Sequence, residues 1–166
     1  MEFTIEQAYA AAPDAVAAAY TEAALYERVG KASSLGRPEV VDRRVEDDAV
    51  LLQVRYRFAG QLNGAARRAL DPSKLTWVEH SSHDLATRKV EFQLVLDHYG
   101  DRFKASGTAV VAAGPAGGAT RTVRGTLTVK APLVGRAVEN AIVSGLRDHL
   151  RAEATAVDAF LAGGER

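Results

Sequence analysis

Cysteine is absent from the 166 residues, and methionine and tryptophan each occur once. Without thiols the chain can form no disulfide framework, no thiolate metal site and no cysteine nucleophile. Net charge is absent too. The 21 Lys and Arg balance the 21 Asp and Glu, which excludes the strongly basic footprint of a dedicated nucleic-acid binder. Long apolar runs are also missing: the stretch from Ala109 to Ala119 is small and apolar but contains Gly and Pro, and it falls short of the roughly 18 residues that cross a bilayer. Residues Met1 to Glu6 alternate and carry acid where a signal peptide carries a basic segment. The expectation is therefore a cytoplasmic protein with no transmembrane segment, no metal and no cofactor.

What is present suits one globular domain, since 47% of the residues are apolar and domains commonly hold about 100–150 residues. The expected boundaries are a single domain over 1–162 and a short tail over 163–166. Charge is unevenly placed: residues 1–48 hold ten acids and five bases, the remainder eleven acids and sixteen bases. A basic face is thus expected, open to a weak membrane-surface or protein contact. Oligomeric state is not readable.

Phe3, Ile5 and Tyr9 share one parity, the period of a half-buried strand. Pro13 then suits a first helical turn, where its missing N–H costs little. Two short helices are predicted over about 13–20 and 22–31, with Thr21 as the cap of the second. From Pro38 onward the alternation of Leu52, Val54, Tyr56 and Phe58, and of Val90, Phe92, Leu94 and Leu96, predicts half-buried strands. Asn63 to Leu75, with Arg67 and Arg68, reads as a helical turn or loop between them. Phe103–Ala113 and Ala119–Ala131 flank a Gly-Pro-Ala-Gly-Gly turn and predict a long hairpin. Leu133 to Leu161 keeps apolar residues at helical spacing before Gly163-Gly164, a helix of about 42 Å at 1.5 Å per residue. Only this helix can cover the apolar face of the sheet.

The opening strand, Ala12-Pro13-x-x-Val16 at the head of a helix, the strand-rich middle, and Val129-Lys130-Ala131-Pro132-Leu133-Val134-Gly135-Arg136 leading into an amphipathic helix together resemble the START-like superfamily. This is the helix-grip fold of birch-pollen-allergen-like proteins, polyketide cyclases and lipid-transfer domains. The chain is most similar to its small uncharacterised bacterial single-domain members. The resemblance implies an α+β fold: a curved antiparallel sheet of about seven strands wrapped on a long C-terminal helix, with two short helices after strand one. It also implies a hydrophobic cavity for a lipid, polyketide or aromatic ligand. No catalytic residue carries over, because the superfamily has no shared catalytic motif.

On the helical wheel Ile142, Leu146, His149, Leu150 and Glu153 fall within an arc of about 100°. His149 and Glu153 thus lie inside an apolar stripe, where buried polar groups need partners. An i,i+4 His–Glu pair can satisfy itself and still offer one imidazole nitrogen to a ligand, as an anchor or as a proton carrier. Leu146, Leu150 and Ile142 of the helix, with Tyr56, Phe58, Val54, Phe92, Leu94, Phe103 and Leu127 of the strands, are the expected ligand-binding surface. Glu139 raises the same question at the helix start. Gly135 and Gly145 each cost a helix about 1 kcal/mol relative to Ala, which points to close approach of a strand or ligand. His80, His83 and Asp84 carry metal-capable donors, but in a strand His80 and His83 point to opposite faces.

Three functions fit these residues. Binding or transport of a small hydrophobic ligand is preferred. A cyclase- or dehydratase-type enzyme using the same cavity, and a packed interaction module docking a partner through the basic face, are the alternatives.

Overall fold

The computed structural model describes residues 1–29, 36–58, 64, 67 and 70–163. Strand β1 (Glu2–Tyr9) is followed by helices α1 (Pro13–Ala19) and α2 (Ala23–Arg28). Six strands come next: β2 (Glu39–Glu46), β3 (Ala49–Arg57), β4 (Thr76–Asp84), β5 (Lys89–Leu96), β6 (Phe103–Ala113) and β7 (Ala119–Val129). Helix α3 (Gly135–Gly163) ends the described chain. The sheet order is β1-β7-β6-β5-β4-β3-β2, and every pair is antiparallel. This is the helix-grip architecture the sequence predicts.

Strand parity decides what meets the helix. Ile5, Leu52, Val54, Val90, Ala109, Val123 and Leu127 are all buried, as are Val138, Val143, Leu150 and Val157 along one side of α3. Burying a single Val or Leu of this kind stabilises by about 1.5–3 kcal/mol relative to exposure, so this seam holds the layers together. Gly135 is required at the helix start: a Cβ there would lie 2.5 Å from the Val129 carbonyl oxygen. The close approach expected at this glycine is thus made by strand β7.

Two local expectations change. Thr21 does not cap α2, because its hydroxyl donates to the Ala18 carbonyl at 2.8 Å, closing the end of α1 instead. Glu22 is the N-cap residue and supplies no side-chain bond. Arg67 is helical and exposed, whereas Arg68 and the far end of the predicted second helix lie outside the described residues.

Gly107 and Gly125 face each other across β6 and β7. A Cβ on Gly107 would stand 2.7 Å from Phe92 Cζ, and one on Gly125 would stand 2.6 Å from Phe3 Cζ. Two phenyl rings therefore lie directly against bare backbone, which only glycine permits here.

A candidate ligand cavity with a buried polar end

Between the sheet and α3 lies a cavity of about 110 Å³, bounded by apolar side chains and Gly145. Six residues of the sequence-derived surface line it: Phe58, Leu94, Phe103, Leu127, Ile142 and Leu146. Leu75, Trp77, Leu96 and Ala105 complete the wall. Leu75 was not readable as lining, because it sits in a short connection rather than in a strand; Leu96 and Ala105 share the inner parity of their strands.

The other expected residues lie elsewhere. Val54 is fully buried among residues of α1 and α2. Leu150 packs with Ile5, Val90, Ala109 and Val123, while Phe92 is drawn onto the bare backbone of Gly107. Tyr56 stands behind the cavity wall, stacked on Trp77 at 5.8 Å and edge-on to His149 at 6.1 Å between ring centroids. Trp77 points inward. His149 and Glu153 continue the helix stripe beyond Leu146, and both are buried. They contribute no surface to the cavity.

Glu153 belongs to a closed polar network instead. Its Oε2 accepts from the Tyr20 hydroxyl at 2.9 Å and lies 3.7 Å from Arg121 Nη1. Arg121 donates to Gln7 Oε1 at 2.7 Å, and Gln7 Nε2 donates to the Leu150 carbonyl at 2.6 Å. The guanidinium also lies over the Tyr20 ring, 4.2 Å from its centroid. Tyr9 and Tyr20 hydroxyls are 2.8 Å apart. Burial pushes the Tyr9 phenol up to about 12 and Tyr20 well above its ordinary value. Arg121 remains charged: burial opposes the charge, and the oxygens of Tyr20, Glu153 and Tyr9 more than offset it.

The His149–Glu153 pair exists, at 3.9 Å between Nε2 and Oε1, which is longer than a hydrogen bond. Burial lowers the His149 pKa despite the attraction of Glu153, so the ring is neutral. Its Nδ1 is buried and has no partner among the described residues. His83 behaves alike. Burial, then the charge of Arg121, brings it down to about 4; its Nε2 shares a 2.9 Å hydrogen bond with Ser81, and its Nδ1 has no partner among the described residues. His80 is exposed on the opposite face, and among the described residues no cluster of His, Asp and Glu could hold a metal. Glu139 is structural, accepting from the Val129 N–H at 2.9 Å.

Glu79 is the residue the sequence reading passed over. It shares the inward face of β4 with Trp77 and Ser81, pairs with fully buried Val54 on one side and cavity-lining Leu94 on the other. It keeps some accessible surface, yet burial, with repulsion from Glu153, raises its carboxyl to about 7. It makes no hydrogen bond or ion pair with another described residue. Strand parity could have found Gln7 and Arg121, each a polar residue among apolar neighbours on its strand, whereas Glu79 shares its face with polar Ser81 and His83 and does not stand out by parity.

A family described as proteins of unknown function, DUF2505, matches residues 4–161. No curated protein matches the sequence. Among solved structures, a Thermus thermophilus protein, TTHA0849, is 15% identical with a TM-score of 0.69, covering 100% of both chains. The Streptomyces aromatase/cyclase Zhui is 12% identical at a TM-score of 0.69, covering 100% of this chain and 96% of its own. Norcoclaurine synthase from Thalictrum flavum is 18% identical at 0.64, covering 98% and 86%. Likeness at this identity is likeness of fold, the helix-grip architecture described above.

Proposed function

Because the chain belongs to the DUF2505 family and has the helix-grip fold, we propose that it binds a small hydrophobic ligand between the sheet and α3, holding a single ring or short alkyl segment there. The carrying observation is a void of about 110 Å³ with no polar side chain in its wall. Leaving such a void empty costs a fold about 24 cal/mol per Å³, here about 2–3 kcal/mol, which an apolar occupant returns. A dry apolar cavity of about 150 Å³ takes up benzene, so slight relaxation of this one admits a ring.

Several solved relatives in fold are named as cyclases or synthases, which makes a cyclase- or dehydratase-type reaction in the same cavity the alternative reading. Binding is the better reading for this chain. His149, the sequence candidate for proton transfer, presents no atom to the cavity and is only 3% exposed.

Trp77 is the sole tryptophan and forms part of the wall, so its fluorescence is the test. Titration with toluene should give a saturable change, and native mass spectrometry of the purified protein should show an extractable apolar adduct. A linear response with no adduct would remove the binding reading.

A further inference from the structure

The polar side chains enclosed by the fold do not balance in charge. Arg121 is the one buried cation among the described residues, and it is already committed to Glu153 and Gln7. Both inward-facing histidines are neutral. Glu79 is left as a second carboxyl with no cation; it is not part of the cavity wall, but it follows Trp77 on the same face of β4 and pairs directly with Leu94, both of which line the cavity. It differs from the closed network beside it in keeping accessible surface on the inner face of the sheet. A partly desolvated carboxylate without a counter-charge is costly, and a cation placed beside it recovers part of that cost.

We propose that the ligand is a small apolar amine, its ring or short chain in the cavity and its ammonium group paired with Glu79. This rests on the binding reading above. The stacked rings of Tyr56 and Trp77 stand beside this position, and aromatic faces attract a cation. The titratable and charged groups whose fields act on Glu79 are the phenols of Tyr26 from α2 and Tyr56 from β3, Arg121 from β7, and Glu153 from α3. Of these only Arg121 opposes a bound cation, and its charge is matched by Glu153 at 3.7 Å. The two pair off, and Glu79 stands alone.

Toluene, benzyl alcohol and benzylamine share one ring and differ in the group attached, so they separate the apolar subsite from the charge. Near neutral pH benzylamine is a cation. By Trp77 fluorescence at slightly alkaline pH, where Glu79 is ionised, benzylamine should bind at least tenfold more tightly than benzyl alcohol. Glu79→Gln should remove that preference and leave toluene binding within about twofold, which also shows that the variant is folded. If toluene binds both proteins and benzylamine has no advantage in the wild type, the amine assignment is overturned and the cavity reading stands. If benzyl alcohol is preferred and Glu79→Gln weakens it, Glu79 recognises a neutral hydroxyl and the amine assignment is likewise overturned. Failure of all three probes overturns both.

Discussion

The Tyr20 hydroxyl reaches across from the end of α1 to donate to Glu153 Oε2 on α3 at 2.9 Å, while the Tyr20 ring lies under Arg121 of β7. One tyrosine thus joins three elements around a buried ion pair. Such pairs contribute little net stability against apolar replacements, but removing one partner leaves an uncompensated charge. Arg121→Met should cost about 3–5 kcal/mol in denaturant unfolding. Adding Glu153→Leu to that variant should recover most of the loss. Recovery of less than about 1 kcal/mol would mean that the network is not the source of the effect.

Gly107 predicts a second large effect far from any charge. A Cβ there would stand 2.7 Å from Phe92 Cζ and closer still to the Arg124 carbonyl, and the carbonyl belongs to a strand that cannot yield. Gly107→Ala should destabilise by about 1–3 kcal/mol or more. The double variant Gly107→Ala with Phe92→Leu should relieve only the ring clash, leaving the backbone clash in place. Thermal unfolding of the two proteins checks this ordering.

The strands and the long helix were legible because each depends on a local period: two for the sheet, 3.6 for α3. The same period put His149 and Glu153 correctly inside the helix stripe. It could not say what they meet there. Gln7, Arg121 and Glu153 find one another across separations of 114 and 146 residues, and no spacing within one element encodes such pairings. Phe92 was misplaced for a related reason: its parity is right, but its position is set by a missing side chain on the neighbouring strand. Thr21 had the residue type of a cap and the wrong geometry, since its hydroxyl was taken by the preceding turn.

Gly145 couples stability to the cavity. It sits inside α3 and contributes to the cavity wall. Replacing a helical glycine by alanine stabilises by about 1 kcal/mol, provided that the methyl group has room. Gly145→Ala should therefore raise the unfolding midpoint while weakening toluene binding measured by Trp77 fluorescence. Unchanged binding would show that the ligand does not reach this side of the cavity.

Glu79 and His83 give opposite pH dependences that nearly cancel. Burial lifts Glu79 from 4.5 to about 7, so between those values the unfolded chain has lost a proton that the fold retains. Stability falls across this window as pH rises, by about 2–3 kcal/mol after allowance for partial exposure. Burial lowers His83 from 6.5 to about 4, so between those values the unfolded chain holds a proton that the fold has released. Stability there rises with pH, by about 3 kcal/mol in total. Between about pH 4.5 and 6.5 the two contributions offset each other, and their combined effect on stability should be almost flat. Glu79→Gln removes the falling contribution and should show stability climbing with pH across that interval. His83→Gln, which keeps a group able to bond Ser81, removes the rising contribution and should show stability declining. Urea midpoints measured across the interval decide the matter: parallel curves for the three proteins would show that neither side chain changes its protonation on folding.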